Sequence, residues 1–217
     1  MNSKNRKIIL VDKPKGITSF DVIRILRKKL NIRKMGHSGT LDPLATGLMI
    51  IGIEEGTKEL KNLIGLNKIY QVSILLGQQT STGDMEGEII DSKKVNKIDI
   101  KKVKEVLKAI TGKMLLPAPV YSAIKIKGQP LYKIARKKGY KSITPPIREM
   151  EIFWIKMKNH HQDGDYYILN LEMKVKSGTY VRSIAEEIGR KLSIPSTVKE
   201  LRRTEIGQFK IKDAINI

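Results

Sequence analysis

The sequence predicts an α+β fold rather than a doubly wound one, on three observations. Strand-like and helix-like segments mix without strict β-α-β alternation. Residues 149–158 and 166–176 both alternate apolar and polar side chains across a short polar connection, which reads as an antiparallel hairpin. Finally, 217 residues with 40% hydrophobic content and no internal repeat suffice for one large domain, with room for a small insertion.

The elements follow in order. Ile8 to Val11 reads as a strand, and Lys13-Pro14-Lys15-Gly16 as a turn. Ser19 is the expected cap of a helix from about Phe20 to Leu30, with Val22, Ile23, Leu26 and Leu30 on one face and Arg24, Arg27, Lys28 and Lys29 on the other. That basic face is either solvated or in contact with phosphates. Residues 36–47 contain three glycines and a proline, too many breakers for an element interior, and read as an ordered loop; Leu48 to Ile51 behind it reads as a buried strand. A short helix is expected at 57–63, a strand at 68–77 with Tyr70 near its start, a polar turn at 80–87 and a short strand at 89–90. Ile98 to Thr111 is amphipathic through Val103, Val106, Leu107 and Ile110, and Gly112 stops it.

Residues 113–148 hold five of the chain's eight prolines and a basic run with interleaved tyrosines, Tyr132 to Lys141. They are expected to form an insertion that projects from the core and grips RNA or DNA; the alternative is a solvated lysine-rich helix and loop. Asn159 to Asp165 is the expected hairpin loop. His160 and His161 there are no metal pair, because neighbouring side chains diverge and nothing else supplies ligands. Ser177-Gly178-Thr179 leads into a helix over 180–191 that carries Tyr180 and Arg182, and residues 201–209 form a last strand before a short tail.

Charge is the strongest global signal. Forty-two Lys and Arg against 22 Asp and Glu leave +20, which points to a polyanionic partner, most often nucleic acid; a compositional bias toward Lys, Ile and Asn is the alternative origin. Aromatics at 5% argue against a platform for long single strands. With no cysteine there is neither a disulfide framework nor a Cys-based zinc site. The apolar run Ile8 to Val11 is too short for a signal-peptide core, and no stretch approaches the ~20 apolar residues of a membrane span, so a cytoplasmic location without membrane contact is expected.

The chemistry concentrates in the 36–47 loop. It carries His37, several hydroxyls and Asp42, which Pro43 biases toward extended backbone. A rigidly mounted carboxylate is a common way to present a nucleophile or general base. The candidate reactive groups are Asp42, Tyr70, Asp84, Tyr180 and Arg182. There is no trustworthy Ser-His-Asp set, no Walker motif and no Gly-x-Gly-x-x-Gly, so chemistry without a metal or nucleotide cofactor is expected. A carboxylate and an arginine in a strongly basic protein suggest isomerase or lyase work on a nucleic-acid base or sugar.

Gly36 to Gly47 closely resembles the signature loop of the TruB family of pseudouridine synthases. Six further blocks, in the family's order, are similar to its motifs: Leu10 to Ser19; Lys68-Ile69-Tyr70; Gly77 to Gly87; Pro119 to Lys125; Ser177 to Arg182; and Leu201-Arg202-Arg203-Thr204. The resemblance covers the chain from about residue 8 to 210. It implies the pseudouridine synthase fold, a central mixed, mostly antiparallel sheet flanked by helices. It also implies conversion of uridine-55 in the tRNA T-loop to pseudouridine. tRNA is then the expected partner, a monomer the expected state, and 1–217 a single catalytic domain without the C-terminal PUA-type domain of many relatives.

By the same resemblance, Asp42 matches the catalytic aspartate, which would attack the ribose C1′ or the uracil ring, or abstract a ribose proton. Tyr70 matches the tyrosine that stacks on the target base and is implicated in taking the C5 proton. Arg182 matches the arginine that pairs with the aspartate. Tyr180 would line the base pocket, His37 would fill the space left by the flipped nucleotide, and Leu201 would pack beside the substrate. Asp84 reads as a turn residue. The family often has Asp where this chain has Ser81, a change expected to touch only the turn. The competing readings are a non-catalytic tRNA-binding or folding chaperone on the same fold, and the guide-RNA-dependent branch of the family.

Overall fold

A computed structural model describes residues 8–217. In chain order its elements are β1 (Ile8–Lys13), α1 (Ser19–Leu30), β2 (Met35–His37), β3 (Thr46–Ile53), α2 (Leu60–Ile64), β4 (Lys68–Leu76), β5 (Gln78–Thr80), β6 (Ile89–Ser92), α3 (Ile100–Ala109), β7 (Gly112–Pro117), β8 (Lys125–Ile126), β9 (Gln129–Pro130), α4 (Leu131–Lys138), β10 (Ile147–Asp163), β11 (Tyr166–Val175), α5 (Val181–Leu192), β12 (Ser196–Ile206), β13 (Phe209–Lys210) and β14 (Ile215–Asn216). Large mixed-sheet content with five helices among the described residues makes this an α+β fold. The chain divides into two compact units.

The first unit comprises the described residues through Gln71, Lys174–Ser177 and Glu200–Ile217. Its strands run in the order β14-β1-β3-β12, with β2 also on β3 and β13 on β12. β3 lies antiparallel to β1, from Ile8 opposite Gly52 to Lys13 opposite Gly47, and parallel to β12, with Arg203 opposite Gly47. Side chains on both faces of β3 are buried, as the near-continuous apolar run from Leu48 to Ile53 requires. Leu48, Ile50, Leu60 and Ile206 form one core cluster, against which Leu10, Leu66 and Phe209 pack. Full burial of each such side chain is worth about 1.5–3 kcal/mol.

The second unit comprises Val72–Met173 and Gly178–Lys199. Its strands follow the order β4-β11-β10-β7, with β10 and β7 antiparallel from Ile147 opposite Pro117 to Ile152 opposite Gly112. α3 packs on α5 and β10, and α5 also on β7. Val103, Val106 and Leu107 of α3 and Ile184, Ala185 and Ile188 of α5 are buried with Met150, Ile152, Leu169 and Leu171 of the strands.

Several local expectations change. Thr18, not Ser19, caps α1: its side chain accepts from the Asp21 N–H, and the Asp21 carboxylate accepts from the Thr18 N–H at 2.8 Å. The 57–63 segment is a 3-10 turn (Glu54–Lys58) followed by α2. The long hairpin closes at Gly164-Asp165, so His160 and His161 lie within β10; His160 stacks on Tyr167 with ring centroids 5.8 Å apart, and its Nδ1 lies 2.8 Å from the tyrosine hydroxyl. β12 ends at Ile206, where Gly207 (φ +55) turns the chain into β13. Residues 113–117, placed in the insertion by composition, belong to β7.

Candidate active site

The first unit builds the Asp42 loop from the ends inward. His37 closes β2 and Thr46 opens β3. Between them the loop is tied at several points to distant residues. Leu41 is held by Ser19, whose Oγ accepts from the Leu41 N–H at 2.8 Å and donates to its carbonyl at 3.0 Å. The Pro43 carbonyl accepts from the Gly16 N–H at 2.9 Å and from Lys13 Nζ at 3.3 Å. The Ala45 N–H donates to the Asp42 carbonyl at 3.1 Å. Leu41, Leu44 and Ala45 are buried, and Asp42 between them is half-buried. The backbone on both sides of the carboxylate is therefore fastened before any substrate arrives, which is the preorganisation a reacting group needs.

Lys13 and Arg203 are fully buried cations in this unit. Lys13 Nζ also donates to the carbonyls of Pro14 and Ile17. Arg203 donates to the carbonyls of Leu48 at 2.7 Å and Gly39 at 3.1 Å, with Thr40 O at 3.5 Å. His37 is half-buried and its Nδ1 has no hydrogen-bond partner. Burial, and then the Arg203 charge, lower its pKa, so it is neutral at physiological pH.

Tyr70 and Lys68 share one face of β4, and both are buried. Lys68 Nζ donates to the Ile64 carbonyl at 2.8 Å and to Ser177 Oγ at 2.7 Å. Burial, and then the Arg203 charge, bring its pKa down to about 8. Leu201 is buried on β12. Beside it Arg202 makes a two-nitrogen pair with the Asp12 carboxylate at 3.1 and 2.5 Å, and Thr204 Oγ1 donates to the Ile69 carbonyl at 3.3 Å. Four sequence-distant blocks, those containing Ser19, Asp42, Tyr70 and Arg203, thus converge in one unit.

The second unit brings together Gly77 to Gly87, Pro119 to Lys125 and the Gly178 to Arg182 part of the block that begins at Ser177. Tyr180 is half-buried just before α5, and Arg182 is buried in its first turn. Arg182 donates from Nη1 to the Thr82 carbonyl at 2.7 Å and from Nη2 to the Tyr121 carbonyl at 3.0 Å, and its Nε lies 3.8 Å from Asp84 Oδ2. The Asp84 carboxylate accepts from Thr82 Oγ1 at 2.6 Å and from the Glu86 N–H at 3.1 Å, the turn role expected of it. One turn on, burial raises the Glu186 pKa and Arg182 opposes that rise.

Sequence reasoning placed Asp42, Tyr70, His37, Leu201, Tyr180 and Arg182 in the site without seeing what holds them. It missed Lys13, Ser19 as a loop clamp, Lys68 and Arg203. A lysine or arginine in a chain of +20 reads as surface, and only its place inside a motif block marked these three.

Residues 27–181 match the family described as TruB family pseudouridylate synthase (N terminal domain). The chain is 37% identical over 207 residues to the tRNA pseudouridine synthase B of Corynebacterium glutamicum, covering 95% of this chain and 69% of that protein. It is 42% identical to the tRNA pseudouridine synthase B of Thermosipho melanesiensis, covering 94% and 65%. Among solved structures, a chain in the crystal structure of a Cbf5-Nop10-Gar1 complex superposes with a TM-score of 0.71 at 26% identity, covering 97% of this chain and 52% of that one. The chain thus spans about half the length of that solved relative. A carboxylate fastened on a loop of an α+β sheet protein, together with these matches, defines the class: the chain belongs to the TruB family of pseudouridine synthases.

Proposed function

We propose that this protein converts uridine-55 in the T-loop of tRNA to pseudouridine, acting as a single catalytic domain and monomer in the cytoplasm. The observation that carries the reading is the Asp42 loop, whose backbone is bonded on both sides of the carboxylate to Ser19, Gly16 and Lys13. The family, the relatives named tRNA pseudouridine synthase B and the net charge of +20 support it.

The reaction breaks the bond from C1′ to N1, turns the uracil, and joins C5 to C1′. N1 ends with a proton and C5 loses one, so nothing is oxidised or added and no cofactor is called for. The uridine first leaves the T-loop stack, since a stacked base hides C1′ and C5. In this reading neutral His37 fills the vacated space. An uncharged imidazole suits that task, because it can lie against bases without a counterion. Asp42 acts on the sugar or the ring, Tyr70 stacks on the uracil and takes the C5 proton, and the family resemblance makes Arg182 the arginine of the catalytic set. By the same resemblance Tyr180 lines the base pocket, and Leu201 packs beside the substrate. The rest of 113–148, beyond β7, would grip the RNA through Lys133, Arg136, Lys137 and Lys138.

The test is incubation of the purified protein alone with unmodified tRNA, followed by mapping of pseudouridine. Product at the T-loop position, lost by about 10³-fold or more in Asp42→Asn with tRNA affinity nearly unchanged, is the expected result. Undiminished product from Asp42→Asn would overturn the assignment of the carboxylate. Binding or refolding of tRNA with no product would favour the chaperone reading, and product only with a guide RNA the ribonucleoprotein branch.

A further inference from the structure

Arg203 is one of the least exposed side chains in the protein, at 1% of its surface. A buried guanidinium normally meets a carboxylate. Here its hydrogen bonds go to backbone carbonyls, and their positions are not random. Leu48 O, at 2.7 Å from Nε, lies just after the Asp42 loop; Gly39 O, at 3.1 Å from Nη2, and Thr40 O, at 3.5 Å from Nη1, lie just before Asp42. The side chain spans the mouth of the loop. Its backbone is placed by the parallel pairing of β12 with β3, in which Arg203 faces Gly47. The fit is so close that a Cβ on Gly47 would come within 2.3 Å of the Arg203 carbonyl oxygen. Arg203 also shifts both His37 and Lys68 toward neutrality, so its field reaches the groups around the loop.

We propose that Arg203 is a positioning residue for the reaction, a cationic staple that ties Gly39 and Thr40, on one side of Asp42 in the loop, to Leu48 of β3 on the other. The proposal rests on the reading of Asp42 as the catalytic carboxylate. A planar fork spreads its donors over Nε, Nη1 and Nη2 and so reaches carbonyls lying further apart than the single nitrogen of an ammonium can. Arg203 touches no substrate in this scheme. Its effect is to keep the carboxylate within the narrow range of positions in which it reacts, where a displacement of about 1 Å can cost about 100-fold in rate.

The variants are Arg203→Lys, which keeps the charge and the buried stem, and Arg203→Met, which removes the charge. Each is first checked for cooperative unfolding. The expected result for a folded variant is a fall in kcat of about tenfold for Lys and about 100-fold for Met, with KM for tRNA within about twofold of the unmodified protein. In Arg203→Met the His37 ring protons, among only three histidines, should titrate at higher pH. Unchanged kcat in either folded variant, or a rise in KM at constant kcat, overturns the proposal. Because the buried site is sensitive, hydrogen exchange in the unmodified protein gives an independent arm. The Leu41 and Ala45 amides should exchange as slowly as those of β3, and exchange at the rate of the exposed turns would overturn the staple even if no variant folds. That arm is read without turnover, so failure of the enzyme to act on tRNA would sink the proposed function while leaving the staple to be judged separately.

Discussion

The hydroxyl of Ser19 satisfies both backbone polar groups of Leu41, at 2.8 and 3.0 Å, across 22 positions of sequence. Both residues are buried. Ser19→Ala would strand a buried N–H and a buried carbonyl, at a cost of about 1–3 kcal/mol in urea unfolding. The larger effect should fall on turnover, since Asp42 follows directly. We expect kcat to drop by more than KM changes in steady-state kinetics on tRNA, and equal loss in both would mean that the clamp serves stability alone.

Gly47 offers a contrast between two kinds of glycine. Its φ is +109° and a Cβ there would enter the Arg203 backbone, whereas Gly128 at φ +80° faces open space. Gly128→Ala should cost about 1–2 kcal/mol, the strain of the left-handed region. Gly47→Ala adds a collision that only separation of β3 from β12 can relieve. It should lower the melting temperature far more than Gly128→Ala does and abolish product; similar losses for the two variants would contradict the register described.

How much of this was readable beforehand depends on where the information lay. β3 was legible because four apolar residues after a breaker-rich loop leave few alternatives, and α3 because its apolar spacing is helical. Asp42 was visible as a carboxylate on a loop, but its task came only from the resemblance to a family. The cap of α1 was legible in principle: Asp21 stands three residues after Thr18, the spacing of a reciprocal cap, and preferring Ser19 overlooked it. What freed Ser19 for Leu41 is a tertiary contact, and nothing local announces it. The same holds for Lys13, Lys68 and Arg203. Their carbonyl partners include residues up to 164 positions away, and no periodicity encodes a bond from Arg203 to Gly39.

Lys68 gives a pH dependence with a definite sign. Its folded pKa is about 8, below the ordinary 10.5, so the unfolded chain binds the proton more tightly. Stability should therefore rise as pH increases from about 8 to 10.5 and be lower beneath that window. Lys68→Met removes this slope. Urea titrations of both proteins at pH 7.5 and 10 check it, and parallel pH profiles would show that Lys68 is not the source.

Glu186 works in the opposite sense. Burial raises its pKa above 4.5 in the fold, against the pull of Arg182, so its stabilising share is complete below pH 4.5 and is lost as pH rises through the folded value. Glu186→Gln should gain stability relative to the unmodified protein at pH 7 and lose that advantage by pH 4. An advantage that persists at pH 4 would point to packing rather than ionisation.

Salt should report on the basic insertion. Lys137 and Lys138 are exposed in the last turn of α4. Reversing both to Glu should weaken tRNA affinity and flatten the plot of log affinity against log salt, by roughly one unit of slope for each phosphate no longer neutralised. An unchanged slope in filter-binding titrations would remove α4 from the RNA interface.

The parallel register that sets Arg203 against Gly47 also orders events in time. Asp42 leaves the ribosome's catalytic centre 161 residues before Arg203 does, which at 5–20 residues per second is roughly 8–30 s of synthesis. Until β12 docks, the nascent loop has neither its staple nor its parallel neighbour. A growing chain can thus expose its basic segments to RNA well before it can position its carboxylate, and competence for catalysis arrives only with the last strands.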